Sequence, residues 1–172
     1  IEAVKHPAPM GPDVINDTDD YAFNTGPLMS PDMFDEVIVP RLTKFAEAVH
    51  ATGAKLIKHT DGNVNKILGS IVGCGVDGYH SIDPMAGMDI AEVKKTYGDK
   101  ITLFGNVDCG NLLTFKNPED VYEAVKNCIR AAAPGGGYVL ASSNTIPASA
   151  RPENVQAMID ATREFGAYPI NI

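Results

Sequence analysis

The chain has 172 residues, of which 44% are hydrophobic, with a mean hydropathy of −0.07; this length suits one domain with a globular core and excludes wholesale disorder. Its 14 Lys and Arg against 22 Asp and Glu leave a formal net charge of −8. That balance excludes a nucleic-acid backbone or an anionic membrane as the expected partner, because basic surfaces meet both.

The apolar runs, such as Ile101–Phe104, are far too short to cross a bilayer. Ile1–Lys5 lacks the basic-then-apolar pattern of a signal peptide. Cys74, Cys109 and Cys128 lie far apart with no CxxC, which points to a reduced, cytoplasmic protein rather than a disulfide scaffold or zinc ribbon. The chain opens on Ile1, not Met, so a fragment or trimmed product is expected.

After the Pro-rich turn His6–Pro12, the first β run is Asp13–Asn16. Ser30-Pro31-Asp32 then makes a helix start, with a capping Ser, Pro at the first helical position and an acid in the first turn. Phe34, Val37, Ile38, Phe45 and Val49 recur at helical spacing, Pro40 is expected to kink or split that run, and Gly53 to stop it. The second β run is Lys55–His59, followed by a helical Val64–Cys74 with Ile67, Leu68, Ile71 and Val72 on one face. The third is Val76–Ile82, followed by a short helix Asp89–Tyr97 that stops near Gly98. The fourth is Ile101–Gly105, after which Asn117-Pro118-Glu119-Asp120 caps a helix carrying Val121, Val125, Cys128 and Ile129. The fifth is Tyr138–Ser142, and Pro152 starts a last helix with Val155, Met158, Ile159 and Ala161 inward, ending near Gly166. Five strand-then-helix units in series predict an α/β fold with a parallel sheet and right-handed crossovers. An open doubly wound sheet and part of a (β/α)8 barrel both fit. The barrel reading requires N-terminal strands that this chain lacks room for.

Each β run ends in a burst of polar side chains: Asn16–Asp20, His59–Asn63, His80-Ser81 with Asp83, Gly105–Cys109, and Ser142–Asn144. In parallel α/β folds the strand C-termini form one rim, and sites lie there. His59 and Asp61 are two residues apart, on one side of an extended segment. Imidazole plus carboxylate there suits a metal or a general acid–base pair, or else a helix cap and a cross-strand hydrogen bond. Asp19 and Asp20 offer paired carboxylates or a solvated loop. His80 reads as a ligand or a core histidine, Cys109 as a soft ligand or a small filler, and Cys74 and Cys128 as helical core residues. His6 and His50 read as surface residues. Asn106, Asp108, Ser143 and Asn144 complete the rim and, with His80, are the substrate-binding candidates. Gly135–Gly137 precedes a strand, so it reads as a turn and not a phosphate cradle.

The order of these segments resembles the C-terminal part of the uroporphyrinogen decarboxylase superfamily. The resemblance is carried by Asp19-Asp20 with Leu28-Met29-Ser30-Pro31, His59-Thr60-Asp61-Gly62, Leu103–Asp108, and Gly137–Leu140 running through Ile146-Pro147 to Pro152–Val155. It covers about Asp13 to Tyr168. It implies a single domain built from the last five βα units of a (β/α)8 TIM barrel. It implies one of two chemistries: cofactor-free decarboxylation of uroporphyrinogen acetate arms, or methyl transfer to or from a corrinoid on a partner protein, commonly with zinc. The zinc branch uses a His-x-Cys after the strand that here carries His59, and a second Cys after the last strand. His59 matches, Asp61 stands at the first Cys, and Asn144 falls about at the second. A thiolate-rich zinc site is therefore not reproduced, and a His59/Asp61 zinc or a metal-free site stay open. The decarboxylase branch carries a His near Asn144, absent here, and Asp19-Asp20 falls in its substrate region. Corrinoid-linked methyl transfer on a small molecule, with His59, Asp61, Asp19 and Asp20 as catalytic candidates, is the first expectation, and decarboxylation the second. A third is a non-catalytic half barrel whose exposed sheet edge pairs with another chain, as in a homo-oligomer.

Overall fold

The computed structural model describes Val4 and residues 10–172. His6, most of the turn His6–Pro12, and all of Ile1–Lys5 except Val4 lie outside the described residues. The central sheet has five parallel strands: β1 (Val14–Asp17), β4 (Lys55–His59), β5 (Gly78–His80), β6 (Thr102–Val107) and β7 (Tyr138–Ser142), adjacent in chain order. A two-stranded ribbon, β2 (Ala22–Phe23) with β3 (Gly26–Pro27), follows β1. Sequential parallel order with a helix after each strand is how neighbouring staves of a (β/α) barrel are arranged. A doubly wound sheet would reverse order at a switch point.

The sheet's outer layer is α1 (Pro31–Val37), α2 (Val39–His50), α3 (Leu68–Gly73), α4 (Ile90–Tyr97), a short α5 (Leu112–Phe115), α6 (Pro118–Ala132) and α7 (Pro152–Phe165). The Ser30 side chain accepts from Met33 N at 3.2 Å, and Pro31 opens α1. Pro40 splits the long run, since α1 ends at Val37 and α2 begins one residue after Ile38. In α6, Asn117 and Asp120 form a reciprocal capping box, and Val121, Val125, Ile129 and Ala132 make the buried stripe. Leu56, Tyr79 and Leu103 from alternate strand positions meet Leu42, Val49, Ile67, Leu68, Ile71 and Val93 in one core, and β6 and β7 share a second with α6 and α7.

Several sequence expectations need adjusting. The helix expected over Val64–Cys74 is only Leu68–Gly73, because Asn63 Oδ1 takes the Asn65 N–H into a turn first. β5 is shorter than Val76–Ile82, and β1 sits one residue later than Asp13–Asn16. β6 runs to Val107 rather than Gly105, since Asn106 and Val107 keep pairing with Ala141 and Ser142. Val37 and Ile159, expected inward, are exposed; in α7 the buried line is Asn154, Ala157 and Ala161. The β2–β3 ribbon, α5 and the 3₁₀ turn Pro84–Ala86 were too short to produce a periodic signal.

Candidate active site

The last residues of β4 divide their work by the two-residue period of a strand. Lys58 and Thr60 are fully buried on the helix side. Lys58 Nζ lies 2.9 Å from Asp17 Oδ2, donates to the Asp19 carbonyl at 2.6 Å, and sits 4.1 Å above the Tyr21 ring. Thr60 Oγ1 accepts from Tyr21 N at 2.7 Å. Together they hold the loop Asp17–Tyr21 against the strand end. His59 and Asp61 face the other way, and the anchored loop brings Asp20 to them: Asp61 N donates to Asp20 Oδ1 at 3.0 Å.

His59 Nε2 then lies 3.6 Å from Asp61 Oδ1 and 3.9 Å from Asp20 Oδ1. One ligand atom from each of Asp20, His59 and Asp61 falls within 4.8 Å of the others. Three donors each about 2.0–2.2 Å from a tetrahedral zinc would lie somewhat more than 3 Å apart, so small side-chain rotations bring this set to a metal. Accessibility rises across the cluster, from 13% at His59 through 25% at Asp61 to 53% at Asp20, so the cluster is open to solvent on the Asp20 side.

Neighbouring strands hold the cluster. His80, at the end of β5, meets His59 Nδ1 to Nδ1 at 2.6 Å, and its Nε2 lies 3.0 Å from the Ser142 carbonyl on β7. Burial pushes the His80 imidazole below its ordinary value, and the neighbouring His59 adds to this, outweighing the Ser142 carbonyl and Asp61. Ser81 Oγ donates to Asp61 Oδ1 at 3.0 Å, and Asn144 Nδ2 donates to Asp61 Oδ2. Asn144 Oδ1 accepts from Thr145 N at 2.6 Å, so Asn144 is held at both ends of its amide and positions Asp61. Gly62 closes the corner at φ +82°: a Cβ there would sit 2.7 Å from the carbonyl oxygens of Ala22 and Phe23, so only glycine lets the β2–β3 ribbon lie this close.

The structure thus gathers His59, Asp61, Asp20, His80 and Asn144 from four of the five strand ends. Asp19 joins through its carbonyl oxygen, which accepts a hydrogen bond from Lys58 Nζ. The other candidates are engaged elsewhere. Asn106 is buried within β6, donating to the Ile82 carbonyl and accepting from Cys128. Asp108 takes the N–H groups of Gly110 and Asn111, both at 2.9 Å, and so caps a turn. Ser143 is buried against Cys109. The three cysteines are free thiols. Cys74 and Cys109 are buried, and Cys109 fills space beside Ser143 rather than joining the cluster. His50, exposed as expected, pairs with Asp77 at 2.6 Å. Sequence reasoning placed Ser81 on the rim without giving it a role, and it missed Lys58. Lys58 had a signal: a charged residue alternating with Leu56 in a strand whose helix-side positions are apolar.

Comparisons with known proteins place the chain in a family and agree with its fold. The profile of the family "Uroporphyrinogen decarboxylase (URO-D)" matches residues 1–165. The methylcobamide:CoM methyltransferase MtaA of Methanosarcina barkeri is 35% identical over 157 residues, 91% of this chain and 43% of that protein. A uroporphyrinogen decarboxylase of Coxiella burnetii is 30% identical over 153 residues, 85% of this chain and 41% of that protein. A solved structure, a methyltransferase from Methanosarcina mazei, superposes with a TM-score of 0.79 at 31% identity, over 96% of this chain and 47% of that one. The chain therefore spans less than half the length of the relatives it matches. No helix among the described residues is long and apolar enough to cross a membrane.

Proposed function

The chain belongs to the uroporphyrinogen decarboxylase family, and we propose that its strand-end rim carries out corrinoid-linked methyl transfer between a small methylated molecule and a corrinoid held by a partner protein. The observation that supports this is the meeting of His59 Nε2 with two carboxylates, Asp61 and Asp20, at the strand end where the resemblance implies a zinc-binding His. In this reading His59, Asp61 and Asp20 would hold zinc, and an open position on it would polarise the heteroatom of the methyl donor. One nitrogen and two oxygens make a harder donor set than thiolates, which suits a donor bound through oxygen or nitrogen rather than sulfur.

The protein's own residues have definite tasks. Ser81 and Asn144 hold both oxygens of Asp61, so its carboxylate is oriented before substrate arrives. Asp20, the most open member, would be the first to meet an incoming substrate. When bound, zinc would take up the electron pair left on the heteroatom and a reduced corrinoid would supply the pair that binds the methyl group, while His59 Nε2, as a ligand atom, carries no proton. Asn106, Asp108 and Ser143 would act behind the rim by shaping the β6 and β7 loops. The five units would be the C-terminal part of an eight-stranded barrel working in the cytoplasm. The unpaired edge of β1 would be covered by further strands or by a second copy.

The exposed Asp20 carboxylate favours a second reading, decarboxylation, in which it would face pyrrole N–H groups of a porphyrinogen. Elemental mass spectrometry of the full-length protein, supplied with zinc, separates the two. Near-stoichiometric zinc lost in both His59→Ala and Asp61→Ala, together with corrinoid methylation, supports the first. No bound zinc, with coproporphyrinogen formed from uroporphyrinogen, refutes it in favour of the second.

A further inference from the structure

We infer that His80 is a positioning residue that fixes the tautomer of His59, keeping the proton on His59 Nδ1 and turning the Nε2 lone pair toward Asp20 and Asp61. The argument starts at β7. The Ser142 carbonyl can only accept, so His80 Nε2, 3.0 Å away, carries a hydrogen and donates it. At the other side of the His80 ring, Nδ1 meets His59 Nδ1 at 2.6 Å. Two lone pairs or two N–H groups would repel at that distance, so a single proton lies between them. The ring centroids are 4.8 Å apart, which equals the nitrogen–nitrogen contact plus about one ring radius on each side, and the planes differ by 30°. The rings therefore meet edge to edge in line, as a hydrogen bond requires, rather than face to face.

Two directions would satisfy one shared proton. If His80 donated it, His80 would be an imidazolium, half-buried and with only a neutral carbonyl on its other nitrogen. If His59 donates it, His80 is neutral and both rings are satisfied without burying a charge on His80. The second direction fits the surroundings. It makes a chain of defined polarity: His59 Nδ1–H to His80 Nδ1, then His80 Nε2–H to the Ser142 carbonyl. His59 Nε2 is left as the one working atom, with its lone pair aimed between two carboxylates. Such outer partners set the orientation and basicity of a histidine ligand. The inference concerns the same site as the function proposed above and rests on that reading for its purpose, but the hydrogen-bond direction does not depend on the reaction.

The test is nitrogen NMR of the full-length protein labelled with ¹⁵N-histidine, without metal and at a pH where the imidazoles are neutral, for the native chain, His80→Gln and His80→Phe. The native protein should show His59 with a protonated Nδ1 and an unprotonated Nε2. His80→Phe, which fills the space but accepts nothing, should redistribute His59 between tautomers, and His80→Gln, whose amide oxygen can accept, should restore the native form at least in part. Zinc titration should follow the same order, with His80→Phe weakening affinity about 10–100-fold. A native His59 protonated on Nε2, or a folded His80→Phe with an unchanged His59 tautomer, overturns the inference. If His80→Phe does not fold, the native spectrum and His80→Gln decide. Failure of the native protein to bind zinc would count against the proposed function, while the tautomer measurement would still decide the role of His80.

Discussion

Lys58→Met tests how the site is held. The side chain of Lys58 has no accessible surface, and that of its partner Asp17 has 17%. Methionine keeps most of the apolar stem and removes only the ammonium, leaving the Asp17 carboxylate unpaired beneath α2 and the Asp19 carbonyl without its donor. Breaking a fully buried pair by removing one partner costs about 3–5 kcal/mol. The partial exposure of Asp17 argues for the lower end, and losing the cation over the Tyr21 ring adds about 0.5–1 kcal/mol. The expected loss is therefore about 3–4 kcal/mol in urea unfolding of the full-length protein. Asp17→Leu combined with Lys58→Met should recover about 2 kcal/mol relative to the sum of the single variants, because the pair is removed together. Zinc affinity should fall with Lys58→Met, since Asp19 and Asp20 ride on the same loop. A single-variant loss under about 1 kcal/mol, or single variants that simply add, would refute the reasoning.

Other expectations follow from the same structure. Gly62→Ala should cost at least about 2 kcal/mol through its positive φ and the clash with the ribbon carbonyls, and should weaken metal binding by displacing Asp20; calorimetry and zinc titration check both. Asn154, fully buried, donates to the carbonyls of Leu112, Leu113 and Lys116, so Asn154→Leu should lower stability by about 2–3 kcal/mol in urea. Because burial holds the folded His80 below its ordinary 6.5, the unfolded chain binds the extra proton first. Stability should therefore fall as pH drops below 6.5 and level off below the folded value, and His80→Gln should flatten that slope. Burial holds Tyr21, Tyr79 and Tyr138 above the ordinary 10.0, so the unfolded chain loses those protons first and stability should fall as pH rises past 10.0. Tyr79→Phe should remove about 1.4 kcal/mol per pH unit of that alkaline slope, read by denaturation at stepped pH.

Much of the architecture was legible because its signals are local. Ser30-Pro31 and Asn117–Asp120 cap helices in the structure as their chemistry requires. Lys55–His59 and Tyr138–Ser142 form strands with the expected bounds. The rim was legible for a different reason: parallel strands put all their C-termini at one edge, so polar residues far apart in the chain had to converge. The misjudged elements depended on pairing. Asn106 looked like a loop residue and is a buried strand residue, because β7 pairs alongside it through Val107 and strand pairing overrides the poor propensity of Gly and Asn.

The succession of βα units, the net acidity, and the identity and strand-end placement of His59, Asp61, Asp20, His80 and Asn144 are written in the chain, because periodicity, capping and strand polarity act over a few residues. Which of these side chains touch is settled by packing. Whether Asp20 or Asp19 reaches His59 depends on Lys58 and Thr60 anchoring a loop 39 residues away in sequence. The hydrogen bond that couples His59 to His80 depends on the register of β4 against β5, which places the two residues side by side. A contact of a few ångströms between separate strands is a property of the packed sheet, and no local pattern in the chain encodes it.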